Sequence, residues 1–376
     1  MMLHRPQPIA DEERLTRIRR LRGKMAAENV DAIFLGATSN LRYFTGLEWG
    51  MSERLCGVLI SHEKLTYIVP AFEHSRLEEL PHLSGDIVVW QEDESPFDKI
   101  TRLLHPKGIL AVDEAIPTSF FLALVSLIGQ SRLTGAGQFT TNLRMEKSEN
   151  EIALIQYAMD VTLEVQKRVR DFLHPGVSSY EVTKFIDEAH RKLCGNGSSF
   201  SIVSFGKATS IPHGVESEQI LQKQDPVLID IGTTVEGYNS DITRTYMIGD
   251  VTDDFAKKWD IEKQLQNIVF NACKIGGRAA DVDNAGRKAL EMFDLGPNYL
   301  LPGIPHRIGH GLGLDIHEEP YVSRHDNTIL KPGMCFSDEP TLIFPGKLGI
   351  RLEDAIYMTK DGPKWFTQPA LGPATI

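Results

Sequence analysis

VLIDIGTTVEGYNSDITRTYMIG, residues 227–249, is the stretch that decides the fold of the C-terminal half of this chain. Two apolar runs flank the polar segment TTVEGYNS, and this pattern predicts a β-hairpin. Asp230 and Asp241 stand on its two strands. Antiparallel pairing can bring both carboxylates to one face, where they repel each other unless a cation lies between them. The hairpin therefore predicts a cation site.

Three further segments of the C-terminal half carry residues of matching chemistry. His310 lies in HRIGHGLGLDIHEEP, whose glycines allow close approach of another backbone. Glu339 in FSDEP and Glu353 in IRLED each follow an apolar run, and a buried glutamate needs a partner such as a metal. The four carboxylates carry about four negative charges at neutral pH. The five residues predict a two-metal hydrolytic site, with the ions roughly 3.5–4 Å apart. Its oxygen-rich ligands favour Mn²⁺ and leave Co²⁺, Fe²⁺ and Zn²⁺ open.

The overall composition excludes several classes of partner. The chain has 376 residues, of which 41% are hydrophobic and 24% charged, as expected for a globular protein of one large or two smaller domains. Its net charge of -11 disfavours nucleic acid and anionic membranes as partners. Its apolar stretches are too short to span a bilayer. With no apolar leader and only scattered cysteines, we expect a cytoplasmic protein without disulfides.

The order of predicted elements divides the chain in two. Residues 1–142 alternate strands and helices, beginning with an amphipathic helix at residues 11–28, and predict a small α/β domain. We place the boundary in GAGQFTTNLRMEKSENE, residues 135–151, where two glycines break the structure and a polar stretch follows. Ser148 and Glu151 form a capping-box pattern that opens a helix. Residues 143–376 then read as helices followed by a strand-rich remainder.

Together these segments resemble the metal-binding motifs of the pita-bread metallopeptidase family, which includes methionine aminopeptidase, aminopeptidase P, prolidase and creatinase. The ligand order of that family is matched by Asp230, Asp241, His310, Glu339 and Glu353. The resemblance covers about residues 145–370, and TSNLRYFTG, residues 38–46, is similar to the small domain of the Xaa-Pro peptidase and creatinase branch. It implies a creatinase/prolidase-type α/β N-terminal domain, an α+β pita-bread catalytic domain and a homodimer.

The resemblance also implies a reaction. A hydroxide that bridges the two metal ions attacks the carbonyl of an Xaa-Pro bond in a small peptide. Glu339 is both a metal ligand and a proton shuttle. His317 and one metal stabilise the oxyanion.

Further residues match the outer positions of that family. His213 and His306 would hold the proline end of the substrate. Arg351, two residues before the last ligand, would orient the metal carboxylates. Arg324 is a weaker candidate for a clamp on the substrate carboxylate.

One departure from the family keeps other functions open. The family often continues Glu-Pro-Gly-Xaa-Tyr after its fourth ligand, whereas this chain reads Glu-Pro-Thr-Leu-Ile from Glu339 to Ile343. The missing tyrosine bears on rate and substrate range more than on metal binding. We expect an Xaa-Pro dipeptidase. Alternatives are an aminopeptidase P for longer peptides, a metal-dependent lyase and a creatinase-like hydrolase. A metal-free binding module is disfavoured because all five ligands are kept.

Overall fold

The computed structural model of the chain describes residues 4–374. Residues Ile9–Arg144 form one compact unit, and the residues from Met145 onward form a second together with those before Ile9. The sequence-based limits, 1–142 and 143–376, stay predictions.

The N-terminal unit is an α/β domain built on one mixed sheet. Its helices are α1 (Asp11–Ala27), α2 (Ser39–Thr45), α3 (His74–Glu79), α4 (Pro96–Arg102), α5 (Thr118–Ile128) and α6 (Gly137–Met145). Its strands are β1 (Ala32–Gly36), β2 (Gly57–Ser61), β3 (Leu65–Pro70), β4 (Asp86–Trp90), β5 (Leu110–Val112) and β6 (Leu133–Gly135). The sheet order is β4-β3-β2-β1-β5-β6, antiparallel across β1, β2 and β3 and parallel elsewhere. Short 3₁₀ helices cover Ala71–Glu73 and Gln130–Arg132.

Two local predictions from glycine and proline are wrong. Residues 137–145, expected to be broken structure, form α6, because Phe139 and Leu143 lie one turn apart and are both buried. The backbone N–H of Phe139 donates to the carbonyl of Ala136, which starts the helix. The pair Gly362-Pro363 predicts a turn in the sequence, but the turn lies earlier, at residues 360–361. Gly362 instead begins a strand, a position where the following proline is tolerated.

The C-terminal unit contains two helix pairs and most of the strands. Its helices are α7 (Glu149–Phe172), α8 (Ser179–Cys194), α9 (Asp253–Ala272) and α10 (Ala279–Ala289), with 3₁₀ helices at Gly206–Ser210 and Leu290–Phe293. The first strands are β7 (Ser198–Phe205), β8 (Pro226–Val235), β9 (Tyr238–Asn239) and β10 (Ile242–Met247). The later strands are β11 (Gly309–Gly311), β12 (Glu318–Val322), β13 (Cys335–Asp338), β14 (Thr341–Phe344), β15 (Leu348–Arg351), β16 (Asp354–Thr359) and β17 (Gly362–Trp365).

These strands form three sheets. One has the order β10-β8-β7, with β9 paired to β8; the second has the order β12-β11-β13-β16-β17; and β14 pairs with β15. Val165 of α7 and Ile186 of α8 share a buried cluster with Ile229 of the first sheet. Leu265 of α9 and Ile356 of the second sheet belong to a separate cluster. Each helix pair therefore packs with its own sheet.

The two helix pairs repeat one local arrangement, although the sequence shows no obvious repeat. The connection from α7 to α8 contains Gly176 at a φ of 95°, and the connection from α9 to α10 contains Gly276 at a φ of 82°.

In the predicted capping box of α7, the Ser148 hydroxyl accepts from Glu151 N–H at 3.1 Å and the Glu151 carboxylate accepts from Ser148 N–H at 2.9 Å. In the part of the chain that the structure describes, every helix is too short or too polar to span a bilayer.

Candidate metal centre

Asp230 and Asp241 reach the site from the predicted hairpin. β8 and β10 pair antiparallel, with Asp230 directly opposite Thr243. Asp241 is the residue immediately before β10. Isoleucines on either side of Asp230 are fully buried, and the two carboxylates are buried with them at 6% and 4% exposure. The hairpin thus places two like charges in the core, where each needs a compensating partner.

His310 lies on β11, in the glycine-rich segment singled out from the sequence. A Cβ atom on Gly309 would lie 2.0 Å from the Ser337 carbonyl oxygen, and one on Gly311 would lie 2.5 Å from that of Glu319. Only glycine therefore permits these neighbouring backbones to approach so closely. Nδ1 of His310 lies 3.1 Å from the Gly311 carbonyl oxygen, which must accept from an Nδ1–H. Nε2 is then left as a ligand atom.

Glu339 and Glu353 follow β13 and β15 and point to the same place. Oε1 of Glu339 lies 3.1 Å from Nε2 of His310 and accepts from the Ser337 hydroxyl at 3.0 Å. Oε2 of Glu353 accepts from the Thr243 hydroxyl at 2.5 Å. Nε2 of His310 also lies 3.6 Å from Oδ2 of Asp241. These contacts join the hairpin, β11 and the two glutamate segments in one cluster.

The buried carboxylates of this cluster repel one another, so bound cations would stabilise their ionised forms. Burial, followed by the charges of Glu353 and Asp230, raises the pKa of Asp241 well above its usual value. Burial and the charges of Glu339 and Asp230 do the same to the pKa of Glu353. Burial alone would also raise the pKa of Glu339, but His310 outweighs it and lowers that pKa to about 2. Without bound cations, the carboxylates oppose one another's ionisation.

The geometry of the donor atoms fits divalent metal ions. Asp241, His310 and Glu353 each offer an atom within 4.8 Å of the others. Oδ1 of Asp230 and Oε1 of Glu353 are buried and receive no hydrogen bond from any residue between 4 and 374. Such orphaned oxygens are rare in proteins because they are costly. Asp241, His310 and Glu353 form the candidate metal site, and the free oxygen of Asp230 extends it.

One of the three histidines predicted to bind substrate is in direct contact with this cluster. The His317 ring stands edge-on to the His310 ring, with the ring centres 4.1 Å apart. His317 and His213 are exposed, and His306 is half-buried. Partial burial of its ring, with the charges of His310 and Arg307, lowers the pKa of His317 to about 4. Burial also lowers the pKa of His306. For both His306 and His317, the charge of Glu339 raises the pKa and the charge of His213 lowers it.

The two predicted arginines differ in their surroundings. Arg351 is buried and donates to Oδ2 of Asp230, to the Thr243 hydroxyl at 3.0 Å and to the Pro212 carbonyl at 3.2 Å. Burial alone would lower the pKa of Arg351, but Asp230 and the glutamates raise it, so the guanidinium stays charged. Arg324 donates to Oδ1 of Asn298 at 2.6 Å. The structure gives Arg324 no direct contact with the metal cluster among the described residues.

Two residues of the site were missed from the sequence. Thr243 joins Glu353 to Arg351, and Ser337 joins Glu339 to the backbone N–H of His310 at 2.9 Å. Each lies two positions from a predicted ligand, Thr243 after Asp241 and Ser337 before Glu339. Residues two apart on a strand share a face, so this spacing was the available signal.

Ile343 occupies the position where the family often has tyrosine. Its side chain is 3% exposed, and its backbone N–H and carbonyl exchange hydrogen bonds of 3.0 and 3.3 Å with Gly303. The residue is therefore a core aliphatic side chain on β14 and offers no hydroxyl to the site.

Comparison with known sequences assigns the family. Residues 153–360 match the description Metallopeptidase family M24, and residues 17–146 match Creatinase/Prolidase N-terminal domain. The chain belongs to metallopeptidase family M24. The predicted fold, a creatinase/prolidase-type α/β domain followed by a pita-bread catalytic domain, is confirmed. The chain is therefore a hydrolase of a metal-dependent family.

Named relatives of similar length include dipeptidases and a prolidase. A protein named "Putative dipeptidase YkvY" from Bacillus subtilis is 31% identical over 364 residues, which are 94% of this chain and 98% of the relative. The crystal structure of dipeptidase PepE from Mycobacterium ulcerans has a TM-score of 0.89 at 30% identity, covering 96% of this chain and 97% of that one. The prolidase from Thermococcus sibiricus has a TM-score of 0.86 at 28% identity, covering 96% and 98%.

Proposed function

We propose that this metallopeptidase is an Xaa-Pro dipeptidase that uses two divalent ions, with Mn²⁺ preferred. The observation that carries the proposal is the edge-on placement of His317 against His310, with the ring centres 4.1 Å apart. A pKa of about 4 keeps His317 neutral at physiological pH, so that its N–H can donate. The similarity to a prolidase supports the choice of substrate. A homodimer in the cytoplasm stays a prediction.

Five residues would hold the ions: Asp230, Asp241, His310, Glu339 and Glu353. When bound, two divalent ions supply a water acidic enough to attack a peptide carbonyl at neutral pH. Glu339 accepts the proton of the attacking water and passes it to the leaving nitrogen. His317 donates to the oxyanion that develops on the attacked carbonyl.

The remaining residues position the substrate and the ligands. His213 and His306 bind the proline end, and Arg324 is a candidate for contact with its carboxylate. Arg351 fixes Asp230 and, through the carbonyl of Pro212, the segment that carries His213. Selectivity for proline has a simple physical basis, because the tertiary amide before proline has no N–H. The pocket needs no hydrogen-bond acceptor at that position.

A substrate panel tests the proposal. Metal-stripped and Mn²⁺-reconstituted protein would be assayed with Ala-Pro, Ala-Leu, Ala-Pro-Ala and creatine. We expect metal-dependent cleavage of Ala-Pro, with a higher kcat/KM than for the other three. Equal cleavage of Ala-Leu would make the chain a general dipeptidase, and better cleavage of Ala-Pro-Ala would make it an aminopeptidase P. Turnover of creatine alone would contradict a peptidase function.

A further inference from the structure

Arg307 is a half-buried cation that the catalytic scheme does not use. It lies between His306 and His310 in the glycine-rich segment. Its guanidinium makes no hydrogen bond or ion pair with any residue in the range 4–374. Its backbone is engaged, because the Arg307 carbonyl oxygen lies 2.6 Å from Nδ1 of His306. The five N–H donors of the side chain therefore remain available.

The guanidinium is nevertheless held in a defined place. It stacks over the ring of Tyr321, with its central carbon 4.4 Å from the ring centre. Tyr321 is paired with His310 across β11 and β12. Residues directly opposite each other on antiparallel strands share a face of the sheet. A cation–π contact thus fixes Arg307 on the face that carries the metal ligand His310.

His317 is the histidine that we assign to the reacting carbonyl, and it lies on the same metal ligand, His310. The His317 ring in turn stands edge-on to that of His310. Tyr321, on which Arg307 stacks, and His317 are therefore both neighbours of His310.

The N–H groups of two other arginines near this site, Arg351 and Arg287, already donate to neighbouring groups. Arg351 donates to Asp230, Thr243 and Pro212. Arg287 makes a two-pronged contact with Asp283, at 2.7 and 3.1 Å, and also donates to backbone carbonyls. An arginine fork of this kind matches the two oxygens of a carboxylate. Arg307 has the same planar set of donors, and no carboxylate among residues 4–374 pairs with it.

We propose that Arg307, supported by the Tyr321 ring, recognises a carboxylate of the bound peptide. That carboxylate is the free C-terminus of the proline residue or the side chain of an acidic Xaa residue. The inference rests on the proposed peptidase function and adds a residue that determines which peptides bind well. Arg307 is better suited to this than Arg324, whose guanidinium already donates to Asn298.

The test compares matched pairs of substrates in wild type and Arg307→Gln. Ala-Pro and its C-terminal amide differ only in the terminal carboxylate, and Glu-Pro amide and Gln-Pro amide differ only in the side-chain carboxylate. A hydrogen bond to a charged group contributes about 1.5–3 kcal/mol, which corresponds to roughly 10–100-fold in affinity. In Arg307→Gln we expect kcat/KM to fall by that factor for the charged member of one pair, mainly because KM rises. For its neutral partner we expect a change within about 2-fold.

Two variants control for general effects. Arg168→Gln removes an exposed arginine that pairs with Glu164 on α7, and should change none of the four rates. Arg307→Lys keeps the charge but loses the fork, and should recover part of the selectivity. Metal content would be measured in every variant. If Arg307→Gln lowers all four rates equally, or none of them, the recognition role is wrong.

A binding measurement separates this inference from the proposed function. Calorimetric titration with the same four compounds needs no turnover, so it applies even if wild type cleaves none of them. Absence of cleavage would overturn the Xaa-Pro function. If wild type binds a charged member more tightly than its neutral partner, and Arg307→Gln binds the two equally, carboxylate recognition is still supported. No preference for either charged member in wild type would overturn it.

Discussion

Arg351 and Asp230, 121 residues apart in sequence, are in direct contact through one guanidinium nitrogen and Oδ2 of the carboxylate. The other oxygen, Oδ1, is buried and receives no hydrogen bond from the residues described. The arginine therefore fixes the rotation of the Asp230 carboxylate and leaves one oxygen free for a metal. The same guanidinium reaches Thr243, which donates to Glu353. One cation thus aligns two predicted ligands on different strands.

Replacing Arg351 by lysine should weaken metal binding. A lysine ammonium is a point charge and cannot reproduce the planar set of contacts to Asp230, Thr243 and Pro212. Loss of an outer partner of a ligand typically lowers metal affinity about 10–100-fold. Competition with a chelating dye would measure the change, with Arg168→Lys as the matched surface control. Unchanged affinity would mean that Asp230 is oriented without Arg351.

Replacing Asp241 by asparagine should have opposite effects on the two forms of the protein. In metal-free protein, burial and the charges of Glu353 and Asp230 disfavour ionisation of Asp241, so replacement by a neutral amide should raise Tm. With Mn²⁺ added, wild type should gain stability because the ion binds only the folded form. The variant should gain much less and lose activity. Scanning calorimetry with and without metal tests both points. A variant that keeps the full stabilisation by metal would show that Asp241 is not a ligand.

Replacing His317 by alanine should separate catalysis from metal binding. In the proposed mechanism this side chain donates to the oxyanion but does not bind metal. Removal of one such donor typically lowers kcat by about 10²–10³. Elemental analysis should find the metal content of wild type. Loss of metal would make His317 part of the ligand framework, and unchanged kinetics would remove the oxyanion role.

The sequence was most informative where chemistry is local. The hairpin with Asp230 and Asp241 was predictable because apolar runs, turn residues and carboxylates follow one another directly. The capping box of Ser148 was predictable for the same reason. Helix α6 was not, because burial of Phe139 and Leu143 outweighs two glycines at its start.

Contacts that depend on pairing between distant strands could not be predicted from the sequence. Thr243 reaches Glu353 across 110 positions. The stacking of Arg307 on Tyr321 depends on the register between β11 and β12, which shifts between His310 and Gly311. Residue type and spacing alone do not reveal such a register. The ligands and Arg351 could therefore be proposed from the sequence, but Thr243 and Ser337, which hold the two glutamate ligands, could not.

Stability below neutral pH should depend on His190, a fully buried residue of α8. Its ring nitrogens lie 2.9 Å from the Ser198 hydroxyl and 3.3 Å from that of Thr162. Burial lowers the pKa of His190 from 6.5 to about 4. Between these values the unfolded chain binds a proton that the folded chain does not, so stability falls as pH decreases. The effect is absent above pH 6.5 and complete below about pH 4.

Replacing His190 by glutamine should remove this dependence. Each pH unit between the two pKa values corresponds to about 1.4 kcal/mol. From pH 7.5 to 5.5, wild type should therefore lose about 1.3 kcal/mol more unfolding free energy than the variant. Denaturant titrations of both proteins at the two pH values, with the same metal loading, measure this difference. Other titrating groups are common to both proteins and cancel in the comparison. Parallel losses would mean that His190 binds its proton equally well in the folded and unfolded chain.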